Sequence, residues 1–363
     1  MSDFTYTPFN GTEPEYVSAG DYLKAYPNRG KTLRIKPFKN PFHIVYNCLS
    51  SIIPSTISPY CGQILSPVNL NSDKRIYFTE SHRASKALDM ELNCIHSYAH
   101  CNNAYKFDVA VSIAPLYSEN FWHWTYECAP KIIALEKNKY TGPYLFAESN
   151  HLGMEFCRML GISPERIIRI NGTCFVKKLL VLPNSSHSDD IDVVEMLVSE
   201  IKNAVGILQD EKRLYVKRIL RRVIINEEEV VNYLEKFGFQ TMTPEDHSIR
   251  DQFRNMTNSV ITLTAHGANS TLILAKPDSS HFIECFSQGH VGLCNLGAIQ
   301  AKNITYSTVV DVSTPPPEEE KINPYLKCYR NMRVDMRLLR VIVEQAVLLS
   351  EKIHHCGALA RTG

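Results

Sequence analysis

Both tryptophans of the 363-residue chain fall in one short run, Phe121-Trp122-His123-Trp124-Thr125, and Glu127 follows His123 by four residues. On a helix, residues i and i+4 share a face. An imidazole and a carboxylate meeting there form a pair able to take a proton from a hydroxyl. The indoles of Trp122 and Trp124 suit a stacking floor for a sugar ring or a base. The competing explanation is a core helix with a satisfied buried histidine, the commoner fate of an isolated His.

Two further stretches carry charge or small residues where a ligand can approach. In Tyr215–Val230, Arg218 stands at the end of a strand-like run. Lys217, Arg221 and Arg222 surround it, and Asn226 with Glu227 opens the next helix. Guanidinium forks match phosphate oxygens and stay charged, so one or two of these arginines would neutralise a pyrophosphate. The alternative is a solvated basic loop. In Thr262–Pro277 an apolar strand runs into His266-Gly267-Ala268-Asn269 and then a short helix. Small residues there let a ligand reach the backbone, and a helix N-terminus offers N–H groups to an anion. His266 would donate to a phosphate oxygen or a sugar hydroxyl. The alternative is an ordinary tight turn with Asn269 as N-cap.

Other candidates carry less chemistry. Asp189-Asp190-Ile191-Asp192 contains a D-x-D pattern, but it precedes an apolar-periodic run and reads as a helix cap. Cys94, His96, His100 and Cys101 are zinc-type ligands at a spacing that fits no usual zinc pattern. His354-His355-Cys356 reads as a helix end. No G-x-S-x-G, P-loop or G-x-G-x-x-G occurs, which argues against a serine hydrolase, a P-loop NTPase and an ordinary dinucleotide oxidoreductase.

The elements that must position these residues come in two series. The first runs from a strand over 106–113 through a helix over 118–138 bent at Pro130, a strand over 143–147 and a helix over 150–161. Two strand-like runs, 166–170 and 175–183, end it. The second begins with a helix over about 191–206. Strands over 213–219, 239–243, 259–265, 281–286 and 303–310 follow, with helices over 226–238 and 247–256. Strands alternating with helices imply parallel sheets covered on both faces. The spacing predicts an N-terminal domain over 1–188, with 1–65 irregular apart from short strands or an edge hairpin, and a second domain over 189–314. Residues 315–321 read as a linker. Beyond them a long helix is expected to pack back across the domains, with Val334, Leu338, Val341, Ile342, Ala346 and Leu349 near one face.

Composition is that of a soluble globular protein, 44% hydrophobic and 21% charged with formal net charge +1. Only residues 217–222 approach a basic patch, so a nucleic-acid partner is not expected. The polar N-terminus lacks an apolar signal segment, and no apolar run reaches 18 residues. Eleven scattered cysteines without a C-x-x-C read as reduced thiols. A cytoplasmic location is the expectation.

In this order and spacing, the pieces resemble glycosyltransferase family 61. The family's histidine–tryptophan helix reads Tyr or Phe, Gly, His, Trp, two residues, Asp or Glu, two residues, Pro, then Arg or Lys. Phe121-Trp122-His123-Trp124, Glu127, Pro130 and Lys131 match it, with Trp122 where the family has glycine. Its Tyr-Ile-Ser-Arg, Arg-Arg and Asn-Glu segment is similar to Tyr215, Arg218, Arg221-Arg222 and Asn226-Glu227, with Lys217 replacing the serine. Its His-Gly-Ala segment is similar to His266-Gly267-Ala268, with Ser270 and Leu272 replacing Leu and Asn. A hydrophobic strand ending in glutamate corresponds to Phe282–Glu284. The resemblance covers roughly 105–310.

The resemblance implies a GT-B-like α/β fold, two Rossmann-like domains facing a cleft, and an inverting transferase. It implies a nucleotide-sugar donor, UDP-xylose or UDP-N-acetylglucosamine, a glycan or glycoprotein acceptor, and no bound metal or other cofactor. Glu127 with His123 would be the catalytic base, and Trp122 and Trp124 would line the acceptor side. Arg218, Arg222, Asn226, His266, Gly267, Ala268, Asn269 and Ser270 would hold the donor, with Glu284 on the nucleotide ribose. Two other classes stand beside it: a nucleotide-sugar-binding scaffold with a decayed site, in keeping with the departures at Trp122, Lys217 and Leu272, and another nucleotide-dependent α/β enzyme.

Overall fold

The computed structural model describes residues 6–8, 43–52, 68–70, 76–78, 105–113, 120–147, 150–170, 172–181, 188, 191–208, 211–292, 294–318, 320 and 324–359. The zinc-type cluster at 94–101 lies outside them, as do Asp189 and Asp190. The chain divides into two compact units, Met1–Val193 and Val194–Gly363.

The N-terminal unit is built on one mixed sheet. Strands β1 (Tyr6–Pro8), β2 (His43–Ile52), β3 (Val68–Leu70) and β4 (Ile76–Phe78) pair antiparallel among themselves. Then come β5 (Tyr105–Ser112), β6 (Tyr144–Ala147), β7 (Ile167–Ile170) and β8 (Gly172–Val181). The strand order is β4-β3-β2-β8-β5-β6-β7, with β1 on β2. Pairing is parallel from β8 through β7 and antiparallel between β2 and β8. The all-parallel sheet expected for this half is therefore corrected to a mixed one. The weakly patterned first third of the chain supplies the antiparallel strands, which no helix crossovers announce.

Between β5 and β6 the chain forms a helix in three parts: α1 (Phe121–His123), a π-helical turn (Trp124–Cys128) and α2 (Ala129–Lys137). Asn120 starts it, its Oδ1 accepting from the N–H of Trp122 and His123. The expected bend at Pro130 is replaced by the π turn, in which the N–H of Ala129 reaches the carbonyl of Trp124. Proline removes one helical hydrogen bond and crowds the carbonyl four residues back. A wide turn just before it absorbs both. α3 (His151–Met159) follows, capped by Asn150 and ended at Gly161, whose φ of 77° suits glycine.

The C-terminal unit holds a five-stranded, wholly parallel sheet of β9 (Lys212–Val216), β10 (Phe239–Met242), β11 (Ser259–Ala265), β12 (His281–Ser287) and β13 (Thr305–Asp311). Its order is β10-β9-β11-β12-β13. Every residue of β12 and all but one of β11 are buried, as expected of central parallel strands covered on both faces. The sheet order reverses between β9 and β11. In open α/β sheets ligands bind at such a switch point, outside the carboxyl ends of the strands.

Helices α4 (Ile191–Val205), α5 (Glu227–Glu235), α6 (Ile249–Met256), α7 (Leu296–Ala301) and α8 (Met336–Leu359) complete the described elements of this half. The core joins Tyr215, Leu263, Ile283 and Val309 from the strands to Val230 and Leu234 of α5 and Leu339, Val343 and Ala346 of α8. The expected face is met in part: Val334 and Ala346 lie in this core and Ile342 packs against it. Leu338, Val341 and Leu349 are exposed, and Leu339, Val343, Ala346 and Val347 go inside. No described helix is long and apolar enough to cross a membrane.

Trp124 is fully buried between Phe146 and Phe156, with ring centroids 5.3 and 6.4 Å away. A Cβ on Gly153 would lie 2.6 Å from the indole. Gly153→Ala should therefore overpack this core by about 1–3 kcal/mol and lower the melting midpoint in scanning calorimetry. An unchanged midpoint would mean that the indole has room to shift.

Candidate functional site

In the N-terminal unit, His123 ends α1 and Glu127 lies inside the π turn. Nδ1 of His123 donates to Oε1 of Glu127 at 3.0 Å, since an ionised carboxylate is acceptor-only. The two side chains keep 30% and 19% of their surface exposed, enough to meet a ligand without being solvated outright. The half-buried Trp122 packs edge-on against the His123 ring at 4.9 Å and tilted against Tyr126 at 5.3 Å, and so braces the imidazole. Trp124, expected on the acceptor side, is corrected to a core residue. Its ring has no exposed surface, because the helix turns it toward β6 and α3.

In the C-terminal unit the switch point brings together the ends of β9 and β11. Arg218 leaves β9 and Gly267 leaves β11, and they touch. A Cβ on Gly267 would lie 1.8 Å from Nη1 of Arg218, so only glycine lets the guanidinium lie across this backbone. Nε of Arg218 donates to the carbonyls of Leu220 and Arg221 at 3.2 and 2.7 Å. Arg221 and Arg222 both adopt left-handed backbone, with φ of 44° and 56°. Consecutive non-glycine residues there cost about 1–2 kcal/mol each, and such strain persists only where surrounding structure imposes it.

That structure is the segment before α8. The N–H of Arg222 donates to the carbonyl of Tyr329, and the Arg221 guanidinium lies 4.3 Å over the Tyr329 ring. Ile225 and Met332 donate to the carbonyls of Met332 and Val223, and Asn331 accepts from the N–H of Val223. Asn226, expected on the donor, spends its amide on this brace. Its Nδ2 donates to the carbonyl of Val334, and its Oδ1 accepts from the Val334 N–H. Glu227 accepts from Tyr215 Oη at 2.6 Å and pairs with Lys217 at 2.7 Å, which leaves Lys217 out of the arginine pair.

Arg218 and Arg222 have no carboxylate within 4 Å among the described residues, and Nε of Arg222 is buried without an acceptor. Burial first, and the charge of Arg222 second, push Arg218 down to about 10. Burial lowers Arg222 as well. Both remain cationic at neutral pH. Beside them, the N–H groups of Ala268 and Asn269 open a 3-10 helix, Ala268–Ala275, and take no acceptor among the described residues. Two half-buried cations and a helix start near one sheet edge suit a ligand with at least two negative charges.

His266 lies at the same edge, 3% exposed, stacked on Phe286 at 4.6 Å. Its Nδ1 donates to Oε1 of Glu284 at 2.6 Å. Glu284 also accepts from Ser270 Oγ and from Tyr306 Oη, each at 2.5 Å, and is itself 2% exposed. The expectation that Glu284 holds a ribose is thereby corrected. The carboxylate is enclosed by its three donors and orients His266. Ser270 likewise works from inside, fully buried. Asn269 follows Gly267, the N-cap of the 3-10 helix, rather than capping it.

Reading the sequence did not find His290, the turn after β12 that carries it, or the 329–334 brace. No motif marks them. For His290 the one signal was its place just after the carboxyl end of the central strand β12. Residues 121–283 match the family model described as Glycosyltransferase 61, a span that begins at the first residue of α1 and ends one residue before Glu284. No curated protein matches the chain.

Gly267→Ala should displace the Arg218 guanidinium and weaken binding of inorganic pyrophosphate about tenfold, about 1.4 kcal/mol, as read by titration calorimetry. The backbone itself tolerates the change, since Gly267 has an extended φ of 167°. Unaltered affinity would show that Arg218 moves aside without loss.

Proposed function

Because the chain belongs, through residues 121–283, to glycosyltransferase family 61, we propose that it moves a sugar from a nucleotide-sugar donor to a hydroxyl of a glycan or glycoprotein, with inversion at the anomeric carbon. The observation that carries this reading is the Arg218–Arg222 pair, half-buried at the switch point and without a carboxylate partner among the described residues. A diphosphate supplies the two or more negative charges that such a pair calls for. UDP-xylose and UDP-N-acetylglucosamine are the donors the family resemblance favours.

The reaction is a single displacement. The acceptor oxygen bonds to the anomeric carbon as the bond from that carbon to the phosphate oxygen breaks. The hydroxyl proton passes to the His123–Glu127 pair, where the carboxylate stabilises the imidazolium that forms, as in other carboxylate–histidine pairs. The charge gathering on the departing diphosphate meets Arg218, Arg222 and the N–H groups of Ala268 and Asn269. Fixed donors of that kind act without reorganising at the moment of reaction. They do the work that a divalent cation does in metal-dependent transferases, so the reading is of a metal-independent enzyme. His266, held by Glu284 and stacked on Phe286, backs this site from inside.

Glu127→Gln should lower turnover by about 10²–10⁴-fold while nucleoside diphosphate affinity stays that of the wild type, because the donor groups belong to the other unit. Turnover is read as sugar transfer or as slow hydrolysis of the nucleotide sugar. Full activity in the variant would remove the pair from the mechanism. A wild-type protein that binds nucleotide sugars but neither transfers nor hydrolyses them would instead be a binding scaffold.

A further inference from the structure

The turn after β12 stands at the same strand edge as the arginines, and no step above uses it. The N–H of His290 donates to the carbonyl of Ser287 at 3.1 Å, which closes the turn. Gly289 is pressed onto the 324–329 turn, and a Cβ there would lie 2.6 Å from the carbonyl oxygen of Lys327. The turn is therefore held from both sides. It carries the half-buried His290 ring to 5.1 Å from the ring of His266.

Three cationic or potentially cationic groups face His290, each from a different element: His266 from the end of β11, Arg222 from the loop after β9, and Lys327 from the 324–329 turn. Glu284 stands behind His266 and is enclosed by its own three donors. Cys294 and Cys328 lie near Arg222, and Arg218 is its neighbour on the same loop. The exposed Glu245 acts on Arg218 from a distance without an ion pair, and Arg222 keeps a buried Nε without an acceptor.

We propose that His290 is a ligand contact of this anion site and that it takes up a proton when a diphosphate binds. The inference rests on the diphosphate reading of the arginine pair. In the free protein burial, followed by the charges of His266, Arg222 and Lys327, pushes His290 down to about 4, so the ring is neutral at pH 7. A polyanion seated among the same cations cancels their repulsion and adds its own attraction, which favours the imidazolium. The proton then provides one more charge-assisted hydrogen bond to phosphate. In the transferase, that proton would arrive as charge builds on the leaving diphosphate. His290 would therefore contribute to departure of the leaving group as well as to binding.

The sign follows from linkage. A group whose pKa rises on binding strengthens the complex below its bound value, and the gain levels off below its free value of about 4. Wild-type affinity for a diphosphate should therefore rise, relative to a variant without the imidazole, as pH falls from 8 toward 5. Protonation of the ligand itself is common to both proteins and cancels in the ratio.

The test is calorimetric titration of the full chain with inorganic pyrophosphate, in EDTA, at several pH values and in two buffers of different ionisation enthalpy. Wild type, His290→Gln and His290→Ala are compared. The wild type should take up a fraction of a proton at pH 6. His290→Gln, which keeps an N–H donor, should lose that uptake, and His290→Ala should also bind about tenfold more weakly. Binding by the wild type without proton uptake, and with affinity equal to that of His290→Ala, would overturn the inference and leave the diphosphate reading standing. If the wild type binds neither pyrophosphate nor any nucleoside diphosphate, both are overturned.

Discussion

The C-terminal unit is organised around an unbalanced charge. Arg218 and Arg222 are partly withdrawn from water; Glu245 and Glu284 act on them from a distance, but no carboxylate forms an ion pair with either among the described residues. Desolvating a cation without a partner is unfavourable, so neighbouring structure must hold the side chains where water alone would not. Arg218 is held by two carbonyls of its own loop and by the bare backbone of Gly267. Arg222 is held by a left-handed backbone that Tyr329 fixes in place. The fold spends packing and hydrogen bonds to keep two positive groups unpaired, and an anionic ligand is the partner that such an arrangement lacks.

The brace lies beyond the residues that match the family model. Residues 329–334 run beside 222–226, joined by backbone hydrogen bonds, a parallel bridge between Ile224 and Met332, and both ends of the Asn226 amide. They are anchored by α8, whose Leu339, Val343 and Ala346 enter the same core as Leu263 and Ile283. The leucine and valine among them contribute roughly 1.5–3 kcal/mol each when fully buried. α8 therefore acts on the site at a distance. It stabilises the sheet, the sheet fixes the 329–334 segment, and that segment imposes the strained arginine loop.

How much of this the sequence revealed follows from where the information lies. Strands β9, β11 and β12 were legible because buried parallel strands read as continuous apolar runs, whereas the capping roles of Asn120, Asn150 and Ser248 appear only in the structure. The arginines and the His266-Gly267 turn were legible because their chemistry is local. Glu284 was not, since a glutamate closing an apolar strand looks the same whether it meets a ribose or a histidine. Its partners are 14, 18 and 22 residues away. The buried face of α8 was only partly legible, for a related reason: Ala346 and Ile342 were placed rightly, Leu338 and Leu349 were not. Apolar residues occur on most of its circumference, so Leu338 and Leu339 are equivalent until a sheet chooses between them. Trp124 misled through its neighbour: two indoles beside a histidine suggested one surface, but successive helical residues point about 100° apart.

The same geometry accounts for the contrast between the two tryptophans. Trp124 enters the core and anchors the π turn against Phe146 and Phe156. Trp122 remains on the outer side against His123 and Tyr126, where the family pattern has glycine. A glycine would leave the imidazole able to turn about its own side-chain bonds. An indole packed edge-on removes that freedom and adds a fixed wall beside the only pair in this unit suited to proton transfer among the described residues. The turn that holds Glu127 is wide because Pro130 follows it, so the proline, the π turn and the 3.0 Å His123–Glu127 contact are one connected feature. Trp122 restricts the ring, Pro130 sets the turn, and Trp124 fixes both to the sheet. The departure from glycine thus replaces freedom of the imidazole by a preset orientation, and a group already held in one orientation loses less entropy when it meets a partner.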